Sequence, residues 1–100
     1  MNELTGKQKR ILRANAQLLS PVAVIGKGGL SEAAVQHVAN LLGERELIKV
    51  KLPQGEQRKL LAAELAAAVG AACIGIVGRT AVLYRANDQL DSAKRIHLPE

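Results

Sequence analysis

The chain reads as a small α/β (α+β) domain of element order α-β-α-β-α-β-β, with a four-stranded mixed sheet and three helices packed on it. Three observations lead there. Stretches with helical apolar spacing alternate with short β-branched runs over the first seventy residues. Glycine and proline fall between them, at Ser20-Pro21, Gly26 to Gly29, Pro53-Gln54-Gly55 and Gly70. The last two apolar runs are separated only by Gly78-Arg79-Thr80, a hairpin length. Strands separated by helices call for parallel crossovers, and the terminal hairpin adds an antiparallel pair. At 100 residues, 48% apolar and 23% charged, the chain is long enough for a single core and ordinary for a globular fold. One domain over 1–100 is expected, with an ordered core from about 4 to 86 and a tail of little fixed structure from 87 to 100, save a short extended segment at Ile96 to Leu98.

Thr5-Gly6-Lys7-Gln8 fits a capping box, so a helix should start there and run to about Leu19, where Ser20-Pro21 stops it. Ile11, Leu12, Leu18 and Leu19 fall on its apolar arc, and Lys7, Lys9, Arg10 and Arg13 on the other. No acid interleaves with these cations after Glu3, so the i,i+4 pairs of an ordinary exposed helix are missing. Val22 to Ile25 reads as a strand. Gly26-Lys27-Gly28-Gly29 breaks it, and Ser31 caps a second helix, with Leu30 and Val35 as its hydrophobic staple. Val35, Val38, Ala39 and Leu42 form the buried stripe of that helix, and Gly43 suits its C′ position.

Leu47 to Leu52 alternates, placing Ile48, Val50 and Leu52 inward and Lys49 and Lys51 outward on a half-buried strand. A third, alanine-rich helix is expected from Glu56 to Val69, with Leu61, Leu65, Ala68 and Val69 inward and Gly70 closing it. Its cap is weak, and Arg58 and Lys59 stand in its first turn, where the helix dipole disfavours cations. Cys73 to Val77 and Ala81 to Ala86 form the hairpin, with Gly75 marking a bulge or a close backbone approach. Arg79 projects from the hairpin tip and Arg85 follows Tyr84.

The net charge of +5 is unevenly spread: residues 1–30 carry five basic side chains against Glu3 alone, while the rest of the chain is nearly balanced. That is the footprint expected of a polyanion partner. Strand, glycine loop and helix N-terminus is also the arrangement in which backbone N–H groups converge on a phosphate. Gly26-Lys27-Gly28-Gly29 matches G-x-x-G, the loop with which KH domains clamp nucleic-acid backbone. Tyr84 is the lone aromatic, so an aromatic stacking platform for successive bases is excluded. Binding should lean on phosphate, sugar and groove shape.

Catalytic readings lack their residues. There is no Ser-His-Asp elbow, no Cys-His pair near the loop and no zinc-spaced cluster, so no catalytic residue, metal or cofactor is expected. Gly26-Lys27-Gly28 begins a dinucleotide fingerprint, but Ser31 stands where its third glycine should be, and a P-loop is absent. No apolar run approaches the roughly 18 residues of a membrane span, and the lone Cys73 suits a reducing compartment, so a cytoplasmic location is expected. Two alternatives remain open: a protein-interaction domain for an acidic partner, and a binder of a small nucleotide or phosphometabolite.

Leu4-Thr5-Gly6-Lys7-Gln8-Lys9, Pro21-Val22 leading to Gly26-Lys27-Gly28-Gly29-Leu30, Glu46 to Lys51, and Val82-Leu83-Tyr84-Arg85 together resemble the CRM-domain family, in its single-domain YhbY-type bacterial form. The resemblance covers nearly the whole chain in order. It implies a fold similar to the C-terminal domain of translation initiation factor three. It also implies RNA binding, with bacterial members linked to maturation of the large ribosomal subunit, and hence large-subunit ribosomal RNA or its precursor particle as partner. Carried over, the RNA site comprises Gly26, Lys27, Gly28 and Gly29 with Lys7, Lys9, Arg10 and Arg13. Lys49, Lys51, Arg79 and Arg85 are candidates for its periphery. The start of the third helix, Gly55-Glu56-Gln57-Arg58, carries less charge than is usual in that family.

Overall fold

A computed structural model describes residues 3–99. The elements run α1 (Gly6–Ala16), β1 (Ala23–Val24), α2 (Glu32–Glu44), β2 (Leu47–Lys51), α3 (Arg58–Val69), β3 (Ala72–Val77) and β4 (Thr80–Tyr84), followed by a 3-10 turn at Ser92–Lys94. The four strands form one mixed sheet in the order β1-β2-β4-β3. β1 runs parallel to β2, and the other two pairings are antiparallel. α2 and α3 cover one face through Val38, Leu42, Ala62, Leu65 and Val69, packed on Ile48, Val50, Leu52, Ala81 and Leu83. α1 covers the other face through Leu12 and Ala16, on Leu47, Ile74, Val82 and Tyr84.

The local signals in the sequence form as expected. Thr5 and Gln8 make the reciprocal capping box, and Ser31 Oγ accepts from the Ala34 amide. Gly70 ends α3 in the left-handed region. The hairpin turn is Gly78-Arg79, and β3 carries a bulge between Cys73 and Gly75. The bulge lies under α1: a Cβ on Gly75 would stand 3.5 Å from Arg13 Cδ.

Several expectations about the ends and faces of the elements need correction. α1 ends at Ala16 rather than near Leu19, because its last turn tightens into i→i+3 hydrogen bonds (Leu18 N to Asn15 O, 3.2 Å; Leu19 N to Ala16 O, 3.0 Å). That rotation carries Leu18 and Leu19 off the core side, and Leu18 is 87% exposed. The outer face of β2 is covered over its first half, where Leu47 packs under α1 and Lys49 is half-buried, while Lys51 is exposed as expected. Gly43 lies inside α2, whose end is tied down by the Asn87 side-chain amide donating to Gly43 O instead of by a left-handed glycine. α3 starts at Arg58, uncapped; Leu61, Leu65 and Val69 face the core as expected, Ala62 and Ala66 are buried beside them, and Ala68 is exposed instead of inward. β4 ends at Tyr84, two residues before Ala86.

The tail, expected to have little fixed structure, is docked. Glu46, 1% exposed, accepts from the Ile96 amide on Oε1 (2.6 Å), and on Oε2 from the Asn87 amide (2.6 Å) and Arg95 Nε (3.3 Å). The two ends of the 87–96 segment are thereby fixed to the start of β2. Ile96 and Leu98 pack against the α1 cluster, and Gln8 Nε2 donates to Pro99 O (2.9 Å), closing the strap over α1. Ile96 to Leu98 pairs with no strand. Tyr84 sits under this strap. Burial, and then the Glu46 carboxylate, push its hydroxyl above the ordinary tyrosine value, with the Arg95 guanidinium opposing them.

α1 leaves one row of its sheet face uncovered. In register across the strands, Val24, Lys51, Thr80 and Val77 form this row, and Val24 and Val77 are about 70% exposed. It lies at the end where the glycine loop leaves β1. The two ends of the sheet are therefore finished differently.

Candidate nucleic-acid interface

Parallel pairing fixes where the glycine loop emerges. Val22 N donates to Lys49 O and Ile25 N to Lys51 O, so β1 and β2 end at the same level. Thr80 pairs with Lys51, which brings the hairpin tip to that level too. One end of the sheet thus gathers residues 26–29, the 53–57 connector, the N-terminus of α3 and the 78–79 turn.

The loop is a tight turn closed by Gly29 N donating to Gly26 O at 3.0 Å. Gly29 has φ +79°, a conformation that glycine adopts without strain. Gly26 and Gly28 differ: their φ is not in that region, and a Cβ on either would meet no protein atom within 4 Å. Neither packing nor backbone conformation asks for glycine at these two positions. What their bareness provides is close access to the main chain from outside. Lys27, between them, is exposed, and among the described residues the Lys27 and Gly28 amides have no backbone partner.

An open groove of about 290 Å³ separates the loop from α3. Lys27 and Gly29 form one wall, Gln54 to Arg58 the other, and Pro53 and Leu61 add apolar surface. Arg58 is held in place by donating from Nη1 to Gly78 O at 2.7 Å. Its unfavourable position in the first turn of α3 is thus offset by a bond to the hairpin. The clue in the sequence was that misplaced cation.

The other candidate residues separate into groups. Lys51 is exposed in the uncovered row beside the loop end. Arg79 is exposed at the hairpin tip, with Nε donating to Leu52 O at 3.4 Å. Lys49 is half-buried, and its ammonium donates to Leu19 O at 3.0 Å, holding the chain that leaves α1. Arg85 is turned inward, donating to Val69 O (2.8 Å) and Ala39 O (3.0 Å), and so ties α2 to α3. Lys7, Lys9, Arg10 and Arg13 are exposed on α1, which covers the sheet face opposite α2 and α3. Arg13 also donates from Nη1 to Ile74 O on β3, the edge strand farthest from β1. These four cations thus lie on the helix across that face, while Arg58 lines the groove beside the loop and Lys59 follows it in the first turn of α3.

A family model described as the CRS1/YhbY (CRM) domain matches residues 4–85. The chain belongs to the CRM-domain family. This CRM domain is 38% identical over 98 residues to a Bacillus subtilis protein named "Probable RNA-binding protein YqeI", covering 96% of this chain and 99% of that one. It is 34% identical over 101 residues to a Haemophilus influenzae protein named "RNA-binding protein", covering 99% and 98%. The solution structure of a Staphylococcus aureus protein superposes with a TM-score of 0.82 at 36% identity, covering 97% of this chain and all of that one. The family match ends at Arg85, so the docked strap lies beyond the matched part of the CRM domain. No helix among the described residues is long and apolar enough to cross a membrane.

Proposed function

We propose that the chain is a non-catalytic RNA-binding protein that grips the backbone of structured ribosomal RNA with its glycine-loop end during assembly of the large ribosomal subunit. The observation that carries this reading is the pair Gly26 and Gly28, bare at positions where the fold itself has no use for glycine. A phosphate resting on the Lys27 and Gly28 amides has a use for it, since a side chain would hold the strand away. Ser31 Oγ takes the Ala34 amide and Glu32 stands in the first turn of α2, so the loop amides form the seat and the helix dipole assists weakly. Lys27 reaches a neighbouring phosphate, Lys51, Arg58 and Lys59 widen the positive end, and the α1 cations add long-range attraction from the other face. Relatives over the whole chain length bear RNA-binding names, which supports the partner class.

The test is the affinity of the purified protein for a large-subunit ribosomal RNA fragment as a function of salt. With four to six phosphates neutralised, log K falls with log salt at a slope of roughly −3 to −5. Replacing Lys27 and Arg10 together by Ala weakens binding to all RNAs alike and flattens the slope, by about 1 for the lost Lys27 contact. An affinity indifferent to salt overturns the reading. Crosslinking in cells, followed by sequencing of the attached RNA, identifies the partner.

A further inference from the structure

We propose that the groove between the glycine loop and α3 is a pocket for one unpaired RNA base, so that the domain reads a bulged or flipped-out nucleotide as well as the backbone. The proposal rests on the backbone reading above, which places an RNA strand on the groove's Lys27 wall. A strand held there by its phosphates has this concavity beside it in which to place a base, and the concavity has the surfaces a base needs. Pro53 and Leu61 offer apolar contact to a ring. Arg58, fixed by its bond to Gly78 O, presents a planar guanidinium, which stacks on bases in proteins that lack aromatic platforms. The exposed Gln54 and Gln57 carry amides able to donate and accept together, the pattern needed to meet a base edge.

Gln57 is especially informative. It stands at the N-cap of α3, where Ser, Thr, Asp or Asn would stabilise the helix, yet its side chain makes no cap bond. Gln57 lines the groove instead. The charge at the site fits the same occupant: Lys27 and Arg58 flank the groove for the phosphates on either side of the base, and Glu56 beside them can accept from an exocyclic amine.

The experiment compares three RNA hairpins of one stem sequence: fully paired, with a single bulged nucleotide, and with an abasic residue at the bulge. The abasic form keeps the backbone distortion and removes only the base. The expected result is that the bulged hairpin binds about tenfold more tightly than the abasic one, with the size of the preference depending on which base is bulged. In the Gln54→Ala/Gln57→Ala double variant, the bulged affinity falls to the abasic value. Both side chains are exposed and neither caps a helix, so a thermal melt matching the parent's confirms that the fold is intact. Equal affinity for bulged and abasic hairpins overturns the pocket, as does a base preference that survives in the double variant. In either case, a steep salt slope on the paired hairpin leaves the backbone grip standing. A flat slope on all three hairpins removes the backbone grip and the pocket together.

Discussion

The two ends of the sheet present opposite solutions to one problem, the placement of polar groups. At the Glu46 end, a buried carboxylate has three donors, the tail is drawn across α1, and Ile96 and Leu98 close the apolar cluster. At the glycine-loop end, the amides of the exposed Lys27 and Gly28 have no backbone partner, two valines lie about 70% exposed, and Lys27, Lys51 and Lys59 stand without acidic partners among the described residues. Buried polar groups left without partners cost free energy, whereas exposed ones are solvated and available to a ligand. The first end is finished by the protein itself. The second is left open, and in the proposed function the RNA completes it.

Glu46→Ala should have the largest effect. It takes the acceptor from the half-buried Asn87 and Ile96 amides and releases the strap, and a loss of about 3 kcal/mol is expected in urea denaturation. The exposed Glu44→Ala serves as control and should change stability by less than about 0.5 kcal/mol. If the two variants melt alike, the contrast between the ends has no energetic content. Gly28→Ala comes next: RNA affinity falls roughly tenfold, as for a lost charge-assisted bond, while thermal stability holds within about 0.5 kcal/mol. Gly29→Ala lowers stability by about 1 kcal/mol, because φ +79° is strained for alanine. Such a split between Gly28 and Gly29 separates a ligand's demand for glycine from the fold's.

The smallest effect is optical. As the lone aromatic, Tyr84 gives an uncluttered ultraviolet titration, and its ionisation should lie above the ordinary value of 10.0. In Glu46→Gln it should move back towards that value, as the carboxylate's repulsion of phenolate disappears. The sign for stability follows. A folded-state pKa above the unfolded one contributes fully below pH 10, and that contribution is lost as pH rises through the folded value. Alkaline unfolding should therefore begin near the pH at which Tyr84 ionises.

Features encoded within a few residues were legible in the sequence: the Thr5–Gln8 box, the Ser31 cap, the Gly78-Arg79 turn, the bulge by Gly75 and the Gly70 terminus. Their partners lie within one turn of chain. The fates of Glu46, Lys49 and Arg85 were not legible, since each is decided by a backbone group 16 to 50 residues away. A lysine at an alternate position of a strand reads as a solvated face until α1 arrives to cover that face. The candidate site shows the same division. The glycine loop stood in the sequence as a motif, but its neighbours only in part. Lys51 and Arg79 were candidates from the sequence and the sheet register places them at the loop end, whereas the closeness of Arg58 to the loop comes from how α3 packs and could not be read from the chain order.

The margins of the sheet have a consequence for how this molecule keeps company. On one side β1 offers only two residues of regular strand, between Pro21 and the glycines; on the other, β3 is kinked at Cys73–Gly75. Neither gives a long flat ribbon on which a foreign strand could zip, so fibrillar association and peptide capture by strand addition are both discouraged. Contacts with other molecules are thereby left to the loops and helix faces and not to the sheet margins.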